Sequence, residues 1–243
     1  MRELAEFITT QRDRFAVDDG NIFALSFAKV TRRWAFLHII RVRYDEASNA
    51  FIENAEVFRA SIRPGGPHQM TAEPMMLQSQ GQHLGTLVHL EIEAYYLFAK
   101  ILLDEIAHAI ENYFGPVRGI AIDSHDDFCK RILKYASAKD LTIPEDFEKA
   151  ISDIRRQISD FRDAQIAHEK SPRAIKGMTW DATRQVMLAT TRLYPKPTDK
   201  QVNSESVGSL TAMLEGYVDR VLAFVETNQL KARFKIGQSK CNA

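Results

Sequence analysis

The run Ser159-Asp160-Phe161-Arg162-Asp163-Ala164-Gln165-Ile166-Ala167-His168-Glu169-Lys170 carries residue types suited to metal-free cleavage of RNA. A histidine moves protons near neutral pH, because its unperturbed pKa is about 6.5. An arginine keeps its charge and stabilises the extra negative charge of a phosphoryl transition state. The RNA's own 2′-OH would be the nucleophile, so the chemistry needs no protein nucleophile, metal or cofactor.

Spacing alone does not single out this pair. An arginine followed by a histidine after four to six residues occurs five times: Arg32 and Arg33 before His38, Arg63 before His68, Arg118 before His125, and Arg162 before His168. Arg63 to His68 crosses Pro and Gly, and Arg118 to His125 crosses a loop. His38 lies among apolar residues in mid-helix. Only Arg162 and His168 close a strongly amphipathic helix, whose stripe is Phe147, Ile151, Ile154, Ile158 and Phe161.

The elements that would position this pair are helical. Apolar residues recur at helical spacing from Ile22 to about Ile62, through Leu25, Val30, Trp34, Leu37, Ile40, Tyr44, Ala47, Phe51, Ala55 and Phe58. They predict one long helix or two consecutive ones. Arg63-Pro64-Gly65-Gly66-Pro67 stops this run, and a loop to about Ser79 follows. A second long helix is expected from Leu84 to Tyr113, apolar nearly all round near Tyr95 to Leu103, hence central. A third starts at Ser124, with Asp127 at the capping-box position, and ends near Ala138. A fourth begins after Thr142, with Pro144 in its first turn, and ends near His168. Thr179 to Tyr194 favours a helix, although its β-branched residues also permit a hairpin. The last helix spans Ser206 to Asn228.

The sequence therefore predicts an all-α fold: a bundle of four to five core helices (81–230), an N-terminal long-helix extension (1–80) and a basic, disordered tail (231–243). Lys plus Arg and Asp plus Glu are 32 each, so the net charge is zero. This excludes a strongly basic DNA-coating protein, and no DNA partner is expected. Arg155, Arg156, Arg162, Lys170, Arg173 and Lys176 still cluster around the candidate site. Arg155, Lys170 and Arg173 are candidates for holding an RNA backbone, with a solvated helix face as the plain alternative. Cys129 and Cys241 make neither a disulfide framework nor a zinc site, which suits a reducing compartment. No membrane-spanning or export segment is evident, so a cytoplasmic protein is expected.

Phe161-Arg162-Asp163 followed by Ile166-Ala167-His168 resembles the signature helix of the HEPN superfamily. There an Arg, a polar residue and a His after four to six positions close a helix before a loop. The resemblance also covers the upstream helices ending near Leu103 and Ala138, and spans roughly residues 85 to 195. Thr179-Trp180-Asp181 resembles the start of a helix in the abortive-infection branch. The resemblance implies a HEPN-like bundle that forms a homodimer, with Arg and His of both chains meeting at one cleft. It implies a metal-independent endoribonuclease of a defence or toxin type. A cognate antitoxin or regulatory protein would be a partner. In that reading Arg162 stabilises the phosphate, His168 is the acid/base and Asp163 orients them. Lys170 stands where some toxin members carry a modified Tyr. On an α-helix Arg162 and His168 lie about 120° apart, so they converge only if the helix unwinds near Ala167 or if each serves from a different chain.

Glu93 and Asp104 are candidate acids to brace Arg162 from a neighbouring helix. Two other functions stay open. One is a catalytically silent HEPN-like module that binds protein or RNA. The other is a metal-binding bundle around Glu105-x-x-His108, the ligand spacing of di-iron bundles, although no second such pair occurs. His38, His83, His89 and His108 otherwise fit the edge of a core. Phe23, Phe27, Trp34, Phe36, Phe51 and Phe58 fit a core or a dimer interface better than a base-stacking platform.

Overall fold

The computed structural model describes residues 2–61, 72–163 and 207–237, with the backbone of four short strands between 174 and 194. The fold is all-α. Among the described residues six α-helices carry it: α1 (Arg2–Arg14), α2 (Val17–Ser61), α3 (Ala72–Phe114), α4 (His125–Lys139), α5 (Phe147–Arg155) and α6 (Val207–Thr227). A π-helical turn, Arg156–Asp160, extends α5, and a 3₁₀ turn, Gln229–Lys231, follows α6. Among the described residues no helix is long and apolar enough to cross a membrane.

The chain clusters into two compact units. The first comprises 1–37, 96–163 and 211–243; the second comprises 38–95 and 164–210. Each is assembled from separate stretches, whereas the sequence suggested a single boundary near residue 80.

The first unit has an aromatic core. Phe23 packs on Phe27 at 4.8 Å between ring centroids and edge-on to Tyr113 at 5.8 Å. Phe147 of α5 stacks on Phe224 of α6 at 4.7 Å, and Phe128 of α4 meets Phe147 edge-on at 6.4 Å. The expected stripe of α5 is inside, with Phe147, Ile151, Ile154 and Ile158 all buried. Ser124 caps α4 by accepting the amide N–H of Asp127 at 3.2 Å. Its hydroxyl donates to Asp127 Oδ2 at 3.0 Å, so Asp127 is drawn to the cap side chain. Asp140 ends α4 in the left-handed conformation, at φ 54°.

In the second unit α2 and α3 run antiparallel in close contact. Arg43 pairs with the buried carboxylate of Glu91. Two α3 glycines admit α2 side chains. A Cβ at Gly81 would lie 2.8 Å from Asn54 Oδ1, and one at Gly85 would lie 3.4 Å from the Phe51 ring.

Several expectations need correction. α1 was not anticipated, although Leu4 and Phe7 give it a buried side. α3 begins at Ala72, not near Leu84, and takes in residues 72–79 of the stretch read as a loop; the earlier part, 62–71, lies outside the described residues. Pro74 falls in its first turn, where an amide N–H has no intrahelical partner to lose. On α2, Leu25 is 70% exposed, while Ser48 and Asn54 hold buried positions. Within Thr179 to Tyr194, where the sequence favours a helix, the described residues are strands. Strands β1 (Ala174–Ile175) and β4 (Leu193–Tyr194) pair antiparallel. Strands β2 (Met178–Asp181) and β3 (Val186–Ala189) pair likewise, Met178 opposite Ala189. Thr179-Trp180-Asp181, matched above to a helix start, therefore lies in a strand. β-branched and aromatic residues favour that pleated state.

The stretch from Lys231 is packed as far as Gly237. Phe234 is buried at 5.2 Å from Phe15. The Ala16 N–H donates to the Lys235 carbonyl at 2.8 Å, and the Gly237 N–H to that of Arg14 at 3.0 Å. One aromatic side chain thus anchors a segment whose charges suggested a free tail.

Candidate functional site

The burial of α5 carries its last residues to the edge of the first unit. Phe161 stacks on Tyr96 of α3, with centroids 4.5 Å apart and planes 20° from parallel. The next residue, Arg162, is about a quarter exposed. Its Nε donates to Asp163 Oδ1 at 2.8 Å, and its Nη2 donates to the same oxygen. Two of the three catalytic candidates are therefore in direct contact, with the carboxylate fixing the guanidinium. His168, together with Lys170 and Arg173, lies outside the described residues.

Arg155 does not join Arg162 in a positive surface. Seven residues apart on an α-helix, the two would share a face. The π turn between them widens the ring of hydrogen bonds by one residue and breaks that phase. Arg155 Nε instead donates to Asp126 Oδ1 at 3.0 Å, and its Nη2 lies 3.3 Å from Asp160 Oδ1. Burial works against the charge of Asp126, but Lys100 and Arg155 outweigh it and hold its pKa below the usual carboxylate range. Arg155 is likewise kept firmly charged by Asp126 and Asp160, despite its partial burial.

The two candidate bracing acids are engaged elsewhere. Asp104 Oδ1 accepts Lys100 Nζ at 2.6 Å and the backbone N–H of His125 at 2.8 Å. It thus caps the first turn of α4 and neutralises a buried lysine. Glu93 belongs to the second unit and pairs with His89 at 2.9 Å. The Glu105-x-x-His108 pair is divided too. Glu105 lies 3.7 Å from Arg33, and His108 Nε2 contacts the Asp123 carbonyl at 3.0 Å. Among the described residues no group of three or more His, Cys, Asp or Glu could hold a metal ion.

Sequence reasoning missed a buried polar cluster beside this helix. His125, the first residue of α4, is fully buried, with Nε2 2.8 Å from the Tyr217 hydroxyl. Among the described residues its Nδ1 has no hydrogen-bond partner, nor has the buried Ser159 hydroxyl in the π turn. Burial, reinforced by the charge of Lys100, lowers the His125 pKa to about 3. A neutral imidazole of this kind is no proton shuttle at neutral pH; it fixes the start of α4 against α6. Burial also raises the Tyr217 pKa, so its hydroxyl stays protonated. The available signal was the position of His125 directly after the cap residue, where the side chain turns inward.

Arg162 held by Asp163 can present a cation to a phosphate, while Arg155, Lys100 and His125 are committed to internal partners. No protein-family model, curated protein or solved structure matches this chain.

Proposed function

We propose that this chain is a metal-independent endoribonuclease of a defence or toxin type, with Arg162 and His168 as its working pair. The supporting observation is the fork of Arg162 on Asp163 at the end of an amphipathic helix. It leaves the Nη1 edge of the guanidinium without a partner among the described residues. In this proposal His168 removes the proton of an RNA 2′-OH, which attacks the neighbouring phosphorus. Arg162 stabilises the extra charge on the phosphoryl oxygens. The P–O5′ bond breaks and the 5′-oxygen leaves with the proton returned by the His168 imidazolium, giving a 2′,3′-cyclic phosphate and a 5′-hydroxyl. Arg162 and His168 diverge on an ideal helix, so a homodimer that brings them together from two chains belongs to the same proposal.

A second reading, a catalytically silent module that binds protein or RNA, draws on the neutralisation of Arg155 by two carboxylates. RNA cleavage in EDTA separates the two, measured for wild type, His168→Ala and Arg162→Ala from pH 5.5 to 8.5. The nuclease reading expects cleavage by wild type and a loss of about 10²-fold or more in each variant. Absence of cleavage across a broad RNA panel would leave the silent module standing.

A further inference from the structure

The end of α5 does not follow the register that its sequence favours. Phe147, Ile151, Ile154 and Ile158 are buried at helical spacing. On an α-helix Phe161, three residues after Ile158, continues that stripe. Ser159, about 100° round from Ile158, then faces away from it. The structure has the reverse. The π turn Arg156–Asp160 accommodates one extra residue, so Ser159 is fully buried and Phe161 only half-buried. Among the described residues the Ser159 hydroxyl has no hydrogen-bond partner in that seat, and this disfavours the π register. The stack of Phe161 on Tyr96 favours it. The two registers are therefore set against each other by single side chains.

They also place Arg162 differently. In the π register its guanidinium is forked on Asp163, away from Arg155. In the α register Arg162 shares a face with Arg155, seven residues back. That is the side on which Asp126 and Asp160 hold the Arg155 guanidinium. A change of register thus moves Arg162 toward two carboxylates without any change in the buried part of α5 before Arg155.

We propose that the end of α5 is a two-register switch: the π register presents Arg162, and the α register withdraws it to the acidic side of Arg155. Ser159 is its balance point. The switch is a property of the helix end and does not rest on RNA cleavage, which none of its tests reads. The full chain is studied by NMR. Wild type should show Overhauser contacts between the Phe161 and Tyr96 rings. Relaxation dispersion should show microsecond-to-millisecond exchange that, within α5 and its extension, is confined to residues 156–163. Ser159→Ala removes the unpaired hydroxyl and should lower the minor population about fivefold. Ser159→Gln brings an amide that the buried seat cannot pair, so it should favour the α register. The ring contacts should then be lost, and phenylglyoxal modification of Arg162, followed by mass spectrometry, should slow about fivefold or more. Thermal melts confirm that each variant is folded. Absence of exchange in wild type, or exchange unchanged in Ser159→Ala, overturns the proposal. So do retained ring contacts and an unchanged Arg162 modification rate in folded Ser159→Gln.

Discussion

A histidine that cannot take up a proton ties this fold to pH. With a folded pKa of about 3 against 6.5 when unfolded, His125 stays neutral while the unfolded chain protonates. The unfolded state therefore binds more protons between those values. The His125 contribution is complete above pH 6.5 and is lost as the pH falls toward 3, at roughly 1.4 kcal/mol per unit. Urea melts at pH 7 and pH 5 should show wild type losing about 2 kcal/mol more than His125→Gln over that interval. Tyr217→Phe should cost about 1–3 kcal/mol at pH 7, because it removes the hydroxyl bonded to Nε2. Ser159 predicts the opposite sign. Its buried hydroxyl lacks a partner among the described residues, so Ser159→Ala should leave stability unchanged or raise it by about 1 kcal/mol in the same melts.

At the scale of the element, the cap of α4 is the clearest link between sequence and energy. Ser124→Ala removes the acceptor of the Asp127 N–H and should cost about 1 kcal/mol, measured by chemical denaturation. That cap was legible because it depends on residues three apart. So was the stripe of α5, whose apolar positions repeat at a helical period. The π turn after Arg155 was not legible, since an inserted residue leaves no mark on the apolar repeat until packing selects it. The early start of α3 was obscured by Pro74, which breaks a helix in mid-run yet suits a first turn. The pairing of β2 with β3 was a contest between two local propensities, resolved in favour of strand. In the candidate site, Arg162 and Asp163 are adjacent in sequence and their contact could be expected. The capture of Arg155 by Asp126, 29 positions away, could not.

For the whole molecule, the decisive contact is between segments remote in sequence. Phe234 seals the junction of α1 and α2 through Phe15 and Phe23, while Lys235 offers its N–H to Asp19 Oδ2 at 2.7 Å. Phe234→Ala should destabilise by about 3 kcal/mol, read as a lowered midpoint of unfolding. Lys231→Ala removes only an exposed pair with Asp140 and should change that midpoint little.

The same contact sets a timetable. A ribosome adds about 5–20 residues per second, so Phe15 and Phe23 emerge many seconds before Phe234 is made. Until then the aromatic face of the first unit lacks its last wall. A nascent chain exposes that face for the length of its own synthesis, the interval in which a chaperone would find it.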